Sequence, residues 1–152
     1  MLLWHKFLIV FMTAAAPITE LRAAIPLGVV MGFTPLESLF IALAGNLAIV
    51  PILLLLIEPL FVHFKRLSQL RNSLRRIEEH AAAKMKRYRK YRLLGLFVIS
   101  ALPIPGAGAY TACLAARLVR IRFLHALAAI CAGTLVAGIL VYSLTYHVVA
   151  LM

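Results

Sequence analysis

The chain contains two long apolar runs in which polar side chains are rare. Residues 36–57 are apolar except for Glu37 and Asn46, and residues 123–149 carry two histidines as their only strongly polar side chains. A helix rises about 1.5 Å per residue, so each run is long enough to cross a hydrocarbon layer about 30 Å thick. The pattern predicts two membrane-spanning helices, one in each half of the chain.

Two further apolar regions are interrupted by helix-breaking residues. Residues 1–31 are broken at 17–22 (Pro-Ile-Thr-Glu-Leu-Arg) and again at Pro26, and residues 93–118 are broken at 103–108 (Pro-Ile-Pro-Gly-Ala-Gly). Each uninterrupted arm has roughly a dozen residues, too few to span the bilayer, and proline and glycine favour a turn between the arms. We therefore expect two re-entrant helical hairpins. The alternatives are a single kinked span in each region and, at the N-terminus, a cleaved signal segment.

The segment between these halves, residues 59–92, is basic and amphipathic. Its apolar side chains recur every three or four positions, which predicts a helix with a basic face; they are Phe61, Phe64, Leu67, Leu70, Leu74 and Ile77. The excess of Lys and Arg in loop 65–92 predicts that this loop is cytoplasmic and that both chain termini lie outside. The expected organisation is one membrane domain, with repeat 1 at 1–58, a linker at 59–92 and repeat 2 at 93–152.

The two halves also align when they are offset by 88 residues. Pro17 then matches Pro105, and Gly45 matches Gly133. Further matches are Ala44 with Ala132, Leu36 with Leu124, Leu39 with Leu127 and Leu47 with Leu135. Several such matches are expected by chance in a chain rich in Leu and Ala. The expected fold is all-α and integral to the membrane, and the alignment favours an inverted repeat of hairpin plus helix. In such repeats, broken helices at matching positions mark a transport site.

Composition supports a membrane location and excludes several classes of site. The chain of 152 residues is 64% hydrophobic and 14% charged, with a mean hydropathy of +0.99, whereas soluble domains are about half apolar and a quarter charged. It contains no Asp, no CxxC, no HExxH and no GxxxxGK[ST], so we expect no metal site and no cofactor. Eleven of the 16 Lys and Arg residues lie between 65 and 92, which indicates a basic membrane loop and not a nucleic-acid surface.

Glu20 and Arg22 lie at the first break, far from either end of its apolar region. Ionisable groups at membrane depth usually mark pathways or relays. We predict that Glu20 couples transport to protons and that Arg22 binds substrate, since a guanidinium offers a fixed fork for phosphate or carboxylate. The alternative is an internal ion pair. Asn46, in the first spanning helix, is a further candidate for substrate contact besides a hydrogen bond between helices.

The second break predicts an anion site. Its glycines let the backbone turn, and the half-helix that follows begins with unpaired N–H groups, which attract anions. The predicted substrate-binding residues here are Pro105, Gly106, Gly108, Tyr110 and Thr111. A tight turn with packing residues is the alternative.

A group of arginines follows the second hairpin. Arg117, Arg120 and Arg122 fall on the predicted cytoplasmic side. There, Arg117 and Arg120 can hold a lipid headgroup, or they can simply extend to the interface.

Three segments resemble a known family of membrane proteins. They are Pro17-Ile-Thr-Glu-Leu-Arg-Ala-Ala-Ile-Pro-Leu-Gly28, then Gly45-Asn46 with Pro51, and Leu102-Pro-Ile-Pro-Gly-Ala-Gly-Ala-Tyr110. These resemble the small multidrug export family, which has been grouped with the DedA/VTT membrane proteins. The resemblance implies two facing re-entrant hairpins, an inverted repeat and ion-coupled transport. In DedA relatives the suggested cargo is a lipid, including polyprenyl-phosphate carriers.

The leading expectation is a small proton-coupled transporter of a lipid or other amphipathic anion, acting as a homo-oligomer. Export of cationic drugs, with Glu20 as the binding carboxylate, is the alternative within transport. A membrane scaffold that holds anionic lipid through its basic linker is an alternative from another class. We expect no enzymatic activity, because the sequence offers no nucleophile–base pair.

Overall fold

A computed structural model of the protein describes residues 2–66, 91–102 and 108–151. Every regular element in these ranges is an α-helix, which confirms the all-α prediction. The helices are α1 (Leu2–Ala15), α2 (Glu20–Val30), α3 (Pro35–Arg66), α4 (Arg92–Ala101), α5 (Ala109–Leu118) and α6 (Phe123–Ala150).

Helices α3 and α6 are long and apolar enough to cross a membrane. Their candidate spans are Pro35–Ile57, with 23 residues, and Phe123–Ala150, with 28 residues, whereas about 20 residues suffice. Most residues of both spans are not buried inside the protein, as expected of helices that contact lipid. The two long apolar helices predicted from the sequence are therefore confirmed.

Helix α3 continues beyond its apolar part. It contains Pro51 and Pro59 and runs to Arg66, across the predicted boundary between the first repeat and the linker at residue 58. Proline is tolerated in long membrane helices because neighbouring groups satisfy the backbone carbonyl that it leaves without a donor. The remainder of the predicted basic helix, residues 67–90, lies outside the described residues.

The first interrupted region forms two antiparallel helices. Helix α1 ends at Ala15 and α2 begins at Glu20, so the break overlaps the one predicted at 17–22. The second predicted interruption is wrong, because Pro26 lies inside α2 and does not end it. At the far end, Lys6 Nζ near the start of α1 donates a hydrogen bond to Met31 O just after α2, at 2.7 Å. The chain therefore doubles back within this region.

The second interrupted region has the same arrangement. Helix α4 ends at Ala101 and α5 begins at Ala109, while residues 103–107 lie outside the described residues. Arg92 at the start of α4 donates through Nη1 to Val119 O, just after α5, at 3.4 Å. In both regions a cation on the first helix binds the carbonyl that follows the second helix.

Each half of the molecule has its own apolar core. One core joins α1, α2 and α3, and the other joins α4, α5 and α6. Each core also takes side chains from the long helix of the other half, namely Val141 in the first core, and Val50 and Ile57 in the second. The long helices thus pack the two halves together.

One glycine in each long helix allows the first helix of the same half to pack closely. A Cβ at Gly45 would lie 3.2 Å from Ala14 Cβ of α1 and would collide with the Phe11 carbonyl. A Cβ at Gly133 would lie 2.5 Å from Phe97 O and 3.0 Å from Ser100 Cβ of α4. The two glycines paired by the 88-residue offset therefore have the same packing role.

Helices α2 and α5 also end in the same turn, in which a left-handed residue closes the helix. Gly32 adopts φ 97° in the first turn, and Arg120 adopts φ 55° in the second. In the first turn, Phe33 N donates to Gly28 O and Gly32 N donates to Val29 O. In the second turn, Ile121 N donates to Ala116 O and Arg120 N donates to Arg117 O. All four distances lie between 3.0 and 3.1 Å. Every atom pair in one turn is 88 residues from its counterpart in the other.

Candidate functional site

The two helix breaks meet at the Glu20 side chain. Its carboxylate accepts a hydrogen bond from the backbone N–H of Tyr110, in the first turn of α5. A Cβ at Gly108 would lie 2.7 Å from Glu20 Cδ, so the carboxylate fits against the backbone only because residue 108 is glycine. Glu20 therefore caps the N-terminus of α5 from the other half of the protein.

Glu20 reaches this position through an unusual backbone conformation. It is one of two non-glycine residues in the described part of the chain with a positive φ, at 47°. Left-handed geometry costs an L-residue about 1–2 kcal/mol, and such strain concentrates at functional sites. The contact with α5 compensates for this cost by holding the first residue of α2 in place.

Arg22 adds a positive charge beside the Glu20 carboxylate. The guanidinium attracts that carboxylate, and its Nη2 donates to Leu102 O at the end of α4, at 2.7 Å. The carboxylate therefore lies between a cation and the positive end of the α5 dipole. Arg22 and Glu20 both bridge the two halves, so their role is not limited to a mutual ion pair.

The carbonyls at the end of α1 are satisfied by side chains from the turn after α1, from α3 and from α5. Thr19 Oγ1 donates to Thr13 O at 2.6 Å, and Asn46 Nδ2 donates to Ala14 O at 3.1 Å. Tyr110 OH donates to Ala15 O. Backbone that leaves a helix at membrane depth is tolerated only where protein or water satisfies it. Asn46 and Tyr110 thus stabilise the break, and their contact with substrate stays a prediction.

The other predicted site residues are distributed around α5. Gly108 lies at its start, against Glu20, and Thr111 lines a surface cavity of about 320 Å³ beside Tyr110. Arg117 and Arg120 lie at the opposite end of α5, away from Glu20. Pro105 and Gly106 lie outside the described residues. The structure therefore brings together Glu20, Arg22, Gly108 and Tyr110. It places Arg117 and Arg120 away from this group.

An apolar groove starts at Arg22 and runs between α2 and the second half of α6. Its volume is about 450 Å³, and its walls include Val29, Val30, Leu144 and Val148. Arg22 is the charged residue among the described side chains that line it. The groove was not predicted, because it forms where helices from opposite halves meet and no local pattern records that contact.

Metal binding finds no support in the residues that the structure describes, because no three His, Cys or Glu side chains among them are grouped as metal ligands would be. The polar groups at the helix breaks are instead a carboxylate, a guanidinium, a phenol and backbone donors. These groups can hold an anion or exchange a proton.

Comparison with known proteins identifies the family. A family model described as "Putative small multi-drug export protein" matches residues 20–140, which is more than half of the chain. The chain belongs to this family. The match begins at Glu20, the first residue of α2, and includes the second helix break and most of α6. The family description indicates a membrane transporter, in agreement with the two long apolar helices. None of the curated proteins and none of the solved structures matches the chain.

Proposed function

We propose that the protein is a proton-coupled transporter of a lipid or other amphipathic anion, with α1–α2 and α4–α5 as re-entrant hairpins. Helices α1, α2, α4 and α5 have 14, 11, 10 and 10 residues, and each is too short to cross about 30 Å of hydrocarbon. In this proposal loop 65–92 is cytoplasmic, both termini lie outside, and the protein works as a homo-oligomer. The observation that carries the proposal is the Glu20 carboxylate at the contact between the two breaks.

Reciprocal contacts between the halves support an inverted repeat. Arg22 and Tyr110 are 88 residues apart, and each donates to the end of the other half's first helix: Arg22 to the end of α4, and Tyr110 to the end of α1. Glu20 and Gly108 are also 88 residues apart and contact each other. A residue that contacts its own counterpart lies near the axis that relates two repeats, which is where transporters of this type bind their cargo.

Coupling follows from the chemistry of the carboxylate. An ionised Glu20 accepts the Tyr110 N–H and stabilises the N-terminus of α5. A protonated Glu20 loses its charge, so it binds Arg22 and the helix N-terminus less strongly. A proton on Glu20 therefore weakens the contact between the halves, which is the kind of change that an alternating-access motion needs.

The groove at Arg22 supports an amphipathic cargo. Its apolar walls suit an acyl chain or another hydrophobic tail, and the guanidinium at one end suits a phosphate or carboxylate head. A small hydrophilic solute would leave these walls without a matching surface.

Transport measurements in proteoliposomes test this proposal. The probe is fluorescent phosphatidylglycerol, whose movement between leaflets is followed by dithionite quenching with and without a pH gradient. We expect the gradient to accelerate wild-type movement and to have no effect in Glu20→Gln, which keeps the shape of the side chain but cannot ionise. Glu37→Gln is the matched control and should remain coupled, because Glu37 lies in the first turn of α3, away from the breaks. A Glu20→Gln protein that still responds to the gradient contradicts the proposed role.

Export of a cationic drug is the second candidate, and the family description favours it. In this case the Glu20 carboxylate binds the cargo directly. Ethidium efflux from the same proteoliposomes distinguishes the two: a drug exporter moves ethidium and loses this activity in Glu20→Gln, whereas a carrier of anionic lipid does not move it.

A further inference from the structure

The beginnings of the two long helices differ in how they are capped. At the start of α3, Thr34 and Glu37 form a reciprocal capping box. Thr34 N and Oγ1 donate to Glu37 Oε2 at 2.8 and 2.9 Å, and Glu37 N donates to Thr34 Oγ1 at 3.3 Å. The N-terminus of α3 is therefore satisfied by the chain itself.

The start of α6 carries an arginine and a histidine where this box would be. Arg122 and His125 are 88 residues beyond Thr34 and Glu37. Arg122 is the N-cap residue of α6 and makes no capping hydrogen bond through its side chain. The N-terminus of a helix attracts negative charge, so an arginine there is unfavourable unless an anion accompanies it.

A second arginine occupies a conformation that favours glycine. Arg120 has φ 55°, at the position where the first half has Gly32 with φ 97°. Glycine adopts such geometry without the steric penalty that a Cβ brings. An arginine kept in this conformation points to a function for its side chain.

These arginines line one cavity with the start of α6. The cavity has a volume of about 430 Å³, and its walls include Arg117, Arg120, Arg122 and Phe123 together with Leu54 and Leu55 of α3. No carboxylate is among the described side chains that line it. Arg92 binds Val119 O at the same junction and adds a further positive charge.

We propose that the α5–α6 junction binds a phosphate group, either on a phospholipid or free in water. Guanidinium groups match the geometry of phosphate oxygens, and the open start of α6 provides backbone N–H donors for the same oxygens. The apolar residues Leu54, Leu55 and Phe123 line the same cavity and suit the acyl chains next to a lipid headgroup. This site lies at the opposite end of α5 from Glu20, so it is separate from the proposed transport site.

Native mass spectrometry of the full-length protein in detergent tests this site. The probes are phosphatidylglycerol and a diacylglycerol with the same acyl chains, which lacks the phosphate. We expect phosphatidylglycerol to bind more tightly to wild type, and we expect Arg120→Gly and Arg122→Gln each to weaken its binding roughly fivefold, the effect of about one surface charge on anionic lipid. Arg120→Gly should also raise the melting temperature, which separates loss of the site from loss of the fold.

Lys6→Gln is the control for net charge, because Lys6 binds Met31 O beside the turn after α2, where Thr34 and Glu37 cap the helix. It should leave the affinity for phosphatidylglycerol unchanged. Inorganic phosphate added as a competitor shows whether the site binds free phosphate or a phospholipid. Displacement of the lipid indicates a site for the phosphate group itself. No displacement indicates a site that binds the headgroup together with the acyl chains. Equal binding of the two lipids, or equal weakening by Lys6→Gln, would overturn the proposal.

Discussion

Helices α2 and α5 end in turns with the same backbone hydrogen bonds, and the side chains that follow these turns differ. In the first half the turn uses Gly32 and leads into the capping box of Thr34 and Glu37. In the second half Arg120 and Arg122 occupy the matching positions. The first junction is satisfied by the chain itself, whereas the second combines a strained residue, an N-cap residue whose side chain makes no capping hydrogen bond, and several arginines.

The largest effect is expected where the two halves are alike. Gly45→Ala and Gly133→Ala should each lower the free energy of unfolding by about 2 kcal/mol, because the added methyl group collides with backbone of α1 or α4. Gly95→Ala is the matched control, since a Cβ there meets nothing within 4 Å, and helix propensity favours alanine. Thermal unfolding in detergent measures all three variants. If only one of Gly45 and Gly133 is sensitive, the two halves do not pack equivalently.

The turns should respond to substitution in opposite directions. Gly32→Ala should destabilise the protein by about 1–2 kcal/mol, because alanine at φ 97° is strained. Arg120→Gly should stabilise it by about 1 kcal/mol for the converse reason. Chemical denaturation of the purified variants measures both signs. A loss of stability in Arg120→Gly would mean that Arg120 contributes more to the fold than its backbone strain costs.

The smallest effect is expected at the helix starts. Thr34→Ala removes the capping box of α3 and should cost about 1 kcal/mol. Arg122→Ala should cost less in a buffer without phosphate or anionic lipid, because its side chain makes no cap in α6. The difference in melting temperature between the two variants is the measurement, and equal losses would contradict the contrast between the junctions.

The sequence predicts the elements well because each depends on a local pattern. Apolar runs of sufficient length predict α3 and α6, Pro17 with its polar neighbours predicts the break after Ala15, and the clustered Pro and Gly at 103–108 predict the break after Ala101. The continuation of α3 through Pro59 could not be predicted in the same way, because proline ends some helices and is tolerated inside others.

The site is predictable only in part, because its chemistry depends on contacts between residues far apart in the chain. The sequence indicates Glu20 and Arg22 as polar groups at a break, and it indicates the start of α5 as a place for an anion. It does not indicate that the anion present there is Glu20 itself, 88 residues away from Gly108. The groove at Arg22 and the strained Arg120 are equally absent from any local pattern.

The Glu20 carboxylate has a consequence for any anion that approaches the start of α5. In the first turn of α5, the backbone N–H of Tyr110 already donates to the Glu20 carboxylate. An anion can therefore bind this donor only after the Glu20 carboxylate has left it. Competition with the protein's own carboxylate would make anion binding at the start of α5 weaker than at an open helix N-terminus.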